Sequence, residues 1–364
     1  MGFLLSTLAR RPLLLAIRAV ARAFRRKHAR QSSDDEKLAA TNTHRERHES
    51  PSACHLLLVT VLVGSVHAQP ALPAAAAEWT VPGSPVTLLV SDQSPRFLAW
   101  YEAAKAAPDA DARWTLWETM YGEAAVPPTP QGRAMARRLV DGAWPRYEHA
   151  LPAIRTGAAA IAPQASRLLN EVARTLELTE PARIRLRTIV SGFEDNAFAF
   201  RADVPVVVIP LESSRNPALR LAHEGTHAVH MLVSGLAGKW ERSLAATALL
   251  EGVAMHAACQ VTGASDAATC IGVDPANWQQ ALATRRAMLA GARAELSLSD
   301  GKTVAKYTMG QGNTGMRREA YYIGWWVVAR LIRDGMTLAQ IARVQEADIP
   351  RLVDQAIAGL LADA

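Results

Sequence analysis

The segment 216–235 constrains this chain more than any other, because it reads as a complete apolar helix with ionisable residues at its centre. Asn216 can cap the helix, Pro217 suits its first turn, and Gly235 suits its end. The central sequence LAHEGTHAVH nevertheless contains three histidines and a glutamate within ten positions. These side chains are either core residues with satisfied polar partners or ligands of a bound ion.

His223, Glu224 and His227 form an HExxH pattern. Positions i and i+4 of a helix share one face, so the two imidazoles can bind a single zinc ion. Glu224 lies about 100° around the helix from His223, where its carboxylate can hold a proton beside the ion. His230 lies about 10 Å along the axis from His223, too far for bonds of about 2 Å to the same ion. The third ligand must therefore come from another element.

Glu251 is the candidate for that third ligand. It lies in the apolar sequence ALLEGVAMHAA, within a second predicted helix from about Ser243 to Gly263. A carboxylate in such surroundings is rarely left unpaired, because burying a bare charge is costly. Gly252 would let this helix approach its neighbour closely. The alternative interpretation is a glutamate on the solvent side of an amphipathic helix.

The segment 182–213 predicts the β-structure of the chain. Its β-branched alternation and its turn residues indicate two or three short antiparallel strands. The last apolar run, 206–209, is bracketed by Pro205 and Pro210, which favours a position at the edge of the sheet. Helical patterns precede and follow this segment. The expected fold is therefore α+β and predominantly α-helical, with a small antiparallel sheet packed on the HExxH helix.

The HExxH pattern is followed, 24 residues after His227, by a Glu-Gly-x-Ala sequence that begins at Glu251. Together with the stretches VVVIPLESSRNPALRLAHEGTHAVH and AYYIGWWVVARLI, this spacing resembles the gluzincin metallopeptidases. More narrowly, it resembles the bacterial predicted zinc-dependent proteases of the DUF2268 type. The resemblance implies a zincin-like fold in which His223, His227 and Glu251 bind zinc and Glu224 is the general base.

The same resemblance implies a tyrosine that donates a hydrogen bond to the oxyanion of the reaction. Tyr321, three residues before a glycine, is the candidate, and Tyr322 is the reserve; packing in a helix rich in Trp and Val is the alternative for both. The resemblance also implies that the strand before the HExxH helix forms the rim on which an extended substrate lies. One departure is Met255, which stands where many gluzincins have an aspartate that supports a ligand histidine.

Residues 1–68 are predicted to be an N-terminal extension plus a signal peptide. The apolar stretch 56–66 is shorter than the roughly 20 residues of a membrane-spanning helix. It ends in Val66-His67-Ala68, which is typical of a signal peptidase site; a buried core strand is the alternative. Cleavage there would deliver the chain to the periplasm or the medium, with no stable membrane span.

After the signal peptide, we expect a linker at 69–90, a helical subdomain at 91–182 and a metallopeptidase domain at 183–364. The formal net charge is +6, and all of the excess lies in residues 1–68, with 11 Lys and Arg against 5 Asp and Glu. The body of the chain is therefore neutral, and no nucleic-acid partner is expected.

Cys259 and Cys270 would be the two cysteines left after signal cleavage. An even pair in an exported chain favours a disulfide, with two buried free thiols as the alternative.

Taken together, these patterns predict an exported zinc-dependent metallohydrolase that cleaves a peptide or protein substrate, with water activated by Zn²⁺ and with Glu224 as base. Two alternatives stay open. One is a non-catalytic zinc-binding or structural protein of the same fold, and the other is a hydrolase of non-peptide amides. The sequence makes no prediction about oligomeric state.

Overall fold

The structure, a computed structural model, describes residues 77–126, 129–212, 216–235 and 242–363. The predicted N-terminal extension and signal peptide at 1–68 lie outside these residues. Within the described residues the chain forms five strands: β1 (Ala77–Thr80), β2 (Val86–Asp92), β3 (Ala182–Ile189), β4 (Phe198–Arg201) and β5 (Pro205–Pro210).

Helices form most of the described chain, so the predicted α+β, predominantly helical fold is confirmed. A short 3₁₀ turn (Trp144–Arg146) joins the third and fourth helices. The helices are α1 (Ser94–Lys105), α2 (Ala110–Met120), α3 (Pro130–Ala143), α4 (Tyr147–Thr175), α5 (Pro217–Ser234), α6 (Leu244–Thr262), α7 (Ala267–Ile271), α8 (Pro275–Arg293), α9 (Gly301–Thr308), α10 (Glu319–Arg333), α11 (Leu338–Ala342) and α12 (Ile349–Ala362).

The sheet is mixed, with the strand order β1-β2-β3-β5-β4. The antiparallel pairing predicted within 182–213 is correct for β4 and β5. Strands β1 and β2, which lie outside that segment, also pair in antiparallel fashion. The prediction is wrong in the centre, where β2, β3 and β5 run parallel. The connection between β2 and β3 contains helices α1 to α4, and such a long crossover returns the chain to the sheet in the same direction. Between β3 and β5 the chain first forms β4 at the edge and then turns back, so β5 runs antiparallel to β4 and parallel to β3.

Strand β5 is an interior strand, so the prediction that its prolines place it at the edge is wrong. Pro205 and Pro210 are the two terminal residues of β5, and β3 and β4 cover its two sides. A proline at a strand end removes few of the hydrogen bonds of the ladder. The edge strands are β1 and β4. Strand β5, which precedes the HExxH helix, has no open edge with which an extended substrate could pair, so the structure does not support the substrate rim that the resemblance implies there.

The predicted domain boundaries do not match the sheet. Residues 77–92 contain β1 and β2, so the predicted linker at 69–90 is wrong from residue 77 onward. Strand β2 pairs with β3 from Val86 opposite Ala182 to Asp92 opposite Thr188. This pairing crosses the expected boundary at 182/183, and the described residues belong to one compact unit.

Helices α5 and α6 begin and end at the predicted residues. The Asn216 side chain accepts a hydrogen bond from the backbone N–H of Leu219, and Gly235 ends α5 with a left-handed backbone. Ser243 and Gly263 have the corresponding roles for α6. Helix α6 is also long and apolar enough, by length and composition, to cross a membrane. Of its apolar 18-residue stretch, 78% is buried inside the protein, so the apolar surface of this helix is part of the core.

Helices α6 and α10 are in backbone contact. A Cβ atom at Gly252 would overlap the carbonyl group of Gly324, and one at Gly324 would overlap the carbonyl oxygen of Ala248. The expectation that Gly252 permits close approach is confirmed. The Cys259–Cys270 disulfide, also as predicted, joins the end of α6 to α7, with the two Cα atoms 5.6 Å apart.

Candidate metal centre

Helices α5 and α6 bring together the three predicted metal ligands. His223 and His227 lie one turn apart on α5, and their Nε2 atoms are 3.2 Å from each other. The Oε2 atom of Glu251, on α6, lies 3.2 Å from Nε2 of His223 and 3.5 Å from Nε2 of His227. These three side chains form a group that could hold a metal ion.

The donor geometry fits a four-coordinate ion. With metal–ligand bonds of about 2.0–2.2 Å, the corners of a tetrahedron lie about 3.3–3.6 Å apart. The three measured separations, 3.2 to 3.5 Å, match one face of such a tetrahedron. The three side chains are 13–18% exposed, so the group is largely desolvated but still reachable from solvent.

The two histidines strongly affect the ionisation of Glu251. Burial acts to raise the pKa of this carboxyl, but His227 and His223 outweigh burial and hold the pKa well below its usual range. Burial acts to lower the pKa of His227, but Glu251 and then Glu224 outweigh burial, so the pKa of His227 is raised. Glu251 is therefore a carboxylate, the form that binds a cation.

Glu224 lies at the same site. It is on α5, its residue exposure is only 9%, and its charge interacts with His227 and Tyr321. Within the described residues, no hydrogen bond or ion pair reaches its carboxylate. A buried acidic group without a protein partner, beside a metal-binding group, can accept a proton from a molecule bound there.

Of the two predicted tyrosines, the structure brings Tyr321 to the site and leaves Tyr322 in the core. Burial and then Glu251 raise the pKa of Tyr321 to about 12, while Arg318 acts in the opposite direction. The guanidinium carbon of Arg318 lies 3.8 Å from the centre of the Tyr321 ring. Tyr322 is 2% exposed and packs against Trp278 and Trp326.

His230 and His256 lie outside the donor group, as predicted. His230 is buried, and burial lowers its pKa to about 3, so it is neutral over the physiological range. The ring of His256 stacks on Trp325 with the ring centres 3.9 Å apart, and its Nε2 lies 3.0 Å from the Trp325 carbonyl oxygen. His230 is thus a buried histidine whose Nδ1 has no hydrogen-bond partner, and His256 is a half-buried packing residue.

Two arginines at the site were not predicted. Arg242 immediately precedes the N-cap of α6, and its charge interacts with Glu251, Tyr321 and the exposed Glu346. Arg318 immediately precedes α10 and interacts with Tyr321 and Glu251. No local sequence pattern marks either residue, because only the packing of α5, α6 and α10 brings them to the donor group.

The loop before α10 is held by a buried carboxylate. Glu319 is fully buried and accepts hydrogen bonds from the backbone N–H groups of Asn313 and Thr314 and from the Thr314 hydroxyl. A Cβ atom at Gly312 would overlap the Glu319 side chain, so the loop closes tightly around it. Arg318, which has a left-handed backbone with φ 60°, is thereby held in place beside Tyr321.

No protein-family model matches this chain, and no curated protein is significantly similar to it. The resemblance to gluzincins therefore stays a prediction that rests on the motif residues. The geometry of the donor group and its surroundings is what indicates a function for this chain.

Proposed function

We propose that this protein is an exported zinc-dependent hydrolase that cleaves peptide bonds. The observation that carries the proposal is the convergence of His223, His227 and Glu251 in a tetrahedral donor arrangement with the buried Glu224 beside it. Two imidazoles and one carboxylate are a donor set that zinc uses in catalytic sites, where a fourth position stays open.

Each side chain of the site has a distinct task in this proposal. Zinc, when bound, supplies a Lewis acid that polarises the scissile carbonyl and an activated water. Glu224 accepts a proton from that water on a carboxylate oxygen and delivers it to the nitrogen of the leaving amine. Tyr321 is a phenol that keeps its proton at neutral pH, so it can donate a hydrogen bond to the developing oxyanion.

Glu224 supports catalysis over a non-catalytic metal site. Glu224 is 9% exposed as a residue, and within the described residues no hydrogen-bond donor contacts its carboxylate. Partial burial of a carboxylate without a hydrogen-bond partner is unfavourable for the fold. A site that only stores metal does not require this side chain, whereas a hydrolase requires a base at this position.

The Cys259–Cys270 disulfide supports export. Disulfides persist in oxidising compartments and are rare in the reducing cytosol. The location proposed is therefore the periplasm or the extracellular medium, in accord with the signal peptide expected from residues 56–68.

The test is metal analysis and peptide hydrolysis on the purified protein and on Glu224→Gln. We expect about one zinc per chain in both proteins and a loss of turnover of about 10²- to 10⁴-fold in the variant. Glu171→Gln, which changes a surface carboxylate on α4, is the matched control and should keep full activity.

Two results would contradict the proposal. A folded, unchelated protein without zinc would exclude the metal site. Zinc binding without cleavage of peptides or other amides would favour the non-catalytic alternative, and cleavage of non-peptide amides alone would redefine the substrate.

A further inference from the structure

Arg242 and Arg318 approach the donor group from two different elements. One precedes α6 and the other precedes α10, and the charge of each interacts with Glu251 and Tyr321. Both guanidinium groups are therefore within electrostatic range of the metal-binding group, and that of Arg318 lies 3.8 Å from the centre of the Tyr321 ring. Neither has a part in the proposed zinc ligation or in the proton transfer by Glu224.

These two arginines have no carboxylate partner of their own. Within the described residues, no Asp or Glu oxygen lies within 4.0 Å of either guanidinium group, and the buried Nε of Arg242 has no hydrogen-bond partner. Surface arginines such as Arg185 and Arg293, in contrast, form two-point contacts with Asp203 and Asp354. Arg318 interacts with the Tyr321 hydroxyl, whereas the buried Nε of Arg242 is a donor without an acceptor. Such a donor is costly, and neither guanidinium group has a carboxylate beside it, so the arrangement favours an acidic acceptor supplied from outside the protein.

The charge balance of the site points the same way. The two arginines carry two positive charges, which Glu224 and Glu251 offset in the protein alone. A bound divalent ion adds two further positive charges and uses the Glu251 carboxylate as its ligand. Glu346 also interacts with Arg242, but it is exposed and its charge is screened by solvent. The metal-loaded site would therefore attract an anionic group.

The chemistry of the two arginines indicates which anionic group. A guanidinium group is planar and presents parallel N–H donors that match the two oxygens of a carboxylate. Arg318 is already oriented by its contact with Tyr321 and by the loop around Glu319, so binding would cost little side-chain entropy. In an amide hydrolase that acts on peptides, such a carboxylate is present on the substrate itself.

We propose that Arg242 and Arg318 bind a carboxylate of the substrate next to the scissile amide. That carboxylate is either the free C-terminus of a peptide or the side chain of an Asp or Glu residue. The identification of the bond as an amide rests on the proposed function, but the carboxylate site itself does not.

The test is calorimetric binding to the full-length Glu224→Gln protein, which should not turn the peptide over. One pair of probes is N-acetyl-trialanine with a free C-terminal carboxylate and the same peptide as its amide. A second pair, both amidated, has Asp or Asn at the central position. We expect one acid to bind about 10- to 100-fold more tightly than its neutral counterpart, as for a charge-assisted contact of about 1.5–3 kcal/mol. The pair that shows the preference identifies the source of the carboxylate.

Substitutions on the same background assign the preference to the two arginines. Arg242→Met and Arg318→Met should each reduce the preference at least several-fold, whereas Arg167→Met, on the exposed face of α4, should leave it unchanged. Arg242→Lys keeps the charge and loses the two-point contact, so it should retain part of the preference for the acid. It replaces Arg242→Met in the comparison if that variant does not fold. Thermal unfolding and zinc content are measured on every variant.

The outcomes separate this inference from the proposed function. Equal binding of acid and neutral peptides, or no binding of the acids at millimolar concentration, overturns the carboxylate site even if peptides are hydrolysed. An acid preference that is lost in the arginine variants supports the site even if no amide is ever cleaved. An acid preference that survives both arginine substitutions places the carboxylate elsewhere and overturns the assignment.

Discussion

Glu251 on α6 and Glu212 just after β5 are both buried carboxyl groups, and they have opposite ionisation behaviour. The pKa of Glu251 lies well below its usual range, because the adjacent histidines outweigh the effect of burial. Burial and, to a smaller extent, Glu194 together raise the pKa of Glu212 from 4.5 to about 7 against the opposing effect of backbone hydrogen bonds. Glu251 is therefore ionised and available to a cation, whereas Glu212 keeps its proton up to about pH 7.

The surroundings of Glu212 explain this difference. Its Oε1 atom accepts hydrogen bonds from the backbone N–H groups of Ser191 and Phe193, and its buried Oε2 has no partner. Glu194 binds the same loop through Ser191 and Gly192. Within the described residues, no salt bridge to Glu212 forms, so the two backbone hydrogen bonds replace only part of the hydration that it loses. Burial favours the protonated form, whereas hydrogen bonds and nearby positive charges favour the ionised form. At Glu212 burial is the larger effect.

The largest effect should come from exchanging the acid for an amide at each position. Glu251→Gln removes a metal ligand and should lower zinc affinity by more than about 100-fold, because even loss of a residue that only supports a ligand costs 10- to 100-fold. Glu212→Gln makes the same chemical change outside the donor group and should leave zinc affinity unchanged. Competition with a chromophoric chelator measures both. An equal loss in the two variants would show that the donor group is not the metal site.

A second prediction concerns pH and stability. Between pH 4.5 and about 7 the folded protein keeps the Glu212 proton that the unfolded chain releases, so this carboxyl contributes stability that is lost as pH rises through that window. The loss amounts to at most about 3 kcal/mol. Glu212→Gln should remove it, so the free energy of unfolding in urea should differ between the two proteins in a pH-dependent way. Parallel pH profiles for the two proteins would refute the assignment.

A smaller effect should follow from Glu194→Gln. Removing this neighbouring negative charge should move the Glu212 transition to lower pH by less than one unit, which corresponds to less than about 1.4 kcal/mol. The same urea series measures the midpoint of the pH dependence. Glu180→Gln, an exposed position, is the control and should leave the midpoint in place. A shift of equal size in both variants would indicate a general charge effect.

The donor group could be predicted from the sequence because its signals are local. His223 and His227 are one helical turn apart, and Glu251 is conspicuous as a carboxylate among apolar residues. Arg242 and Arg318 gave no such signal, since each is an ordinary loop residue until the helices pack. The roles of Glu224 and Tyr321 in catalysis stay predictions, although both lie at the site.

The sheet was only partly predictable for a related reason. Residue alternation identifies strands but does not fix their direction, which depends on the helices inserted between β2 and β3. Strands β1 and β2 were taken for a linker because they are short and lie beside Ala- and Pro-rich sequence. Strand β1 pairs with the neighbouring β2, but β2 pairs with β3, about a hundred residues further along the chain and beyond the reach of local patterns.

The contact between Gly252 and Gly324 bears on the conformational entropy of the site. Glu251 and Tyr321 are close in sequence to these two glycines, so their separation is set by main chain against main chain. The two glycines themselves have no side chain whose rotamer could alter that spacing. A ligand that bridges Glu251 and Tyr321 would therefore find the two helices already at their working distance, and little of its binding free energy would be spent on ordering them.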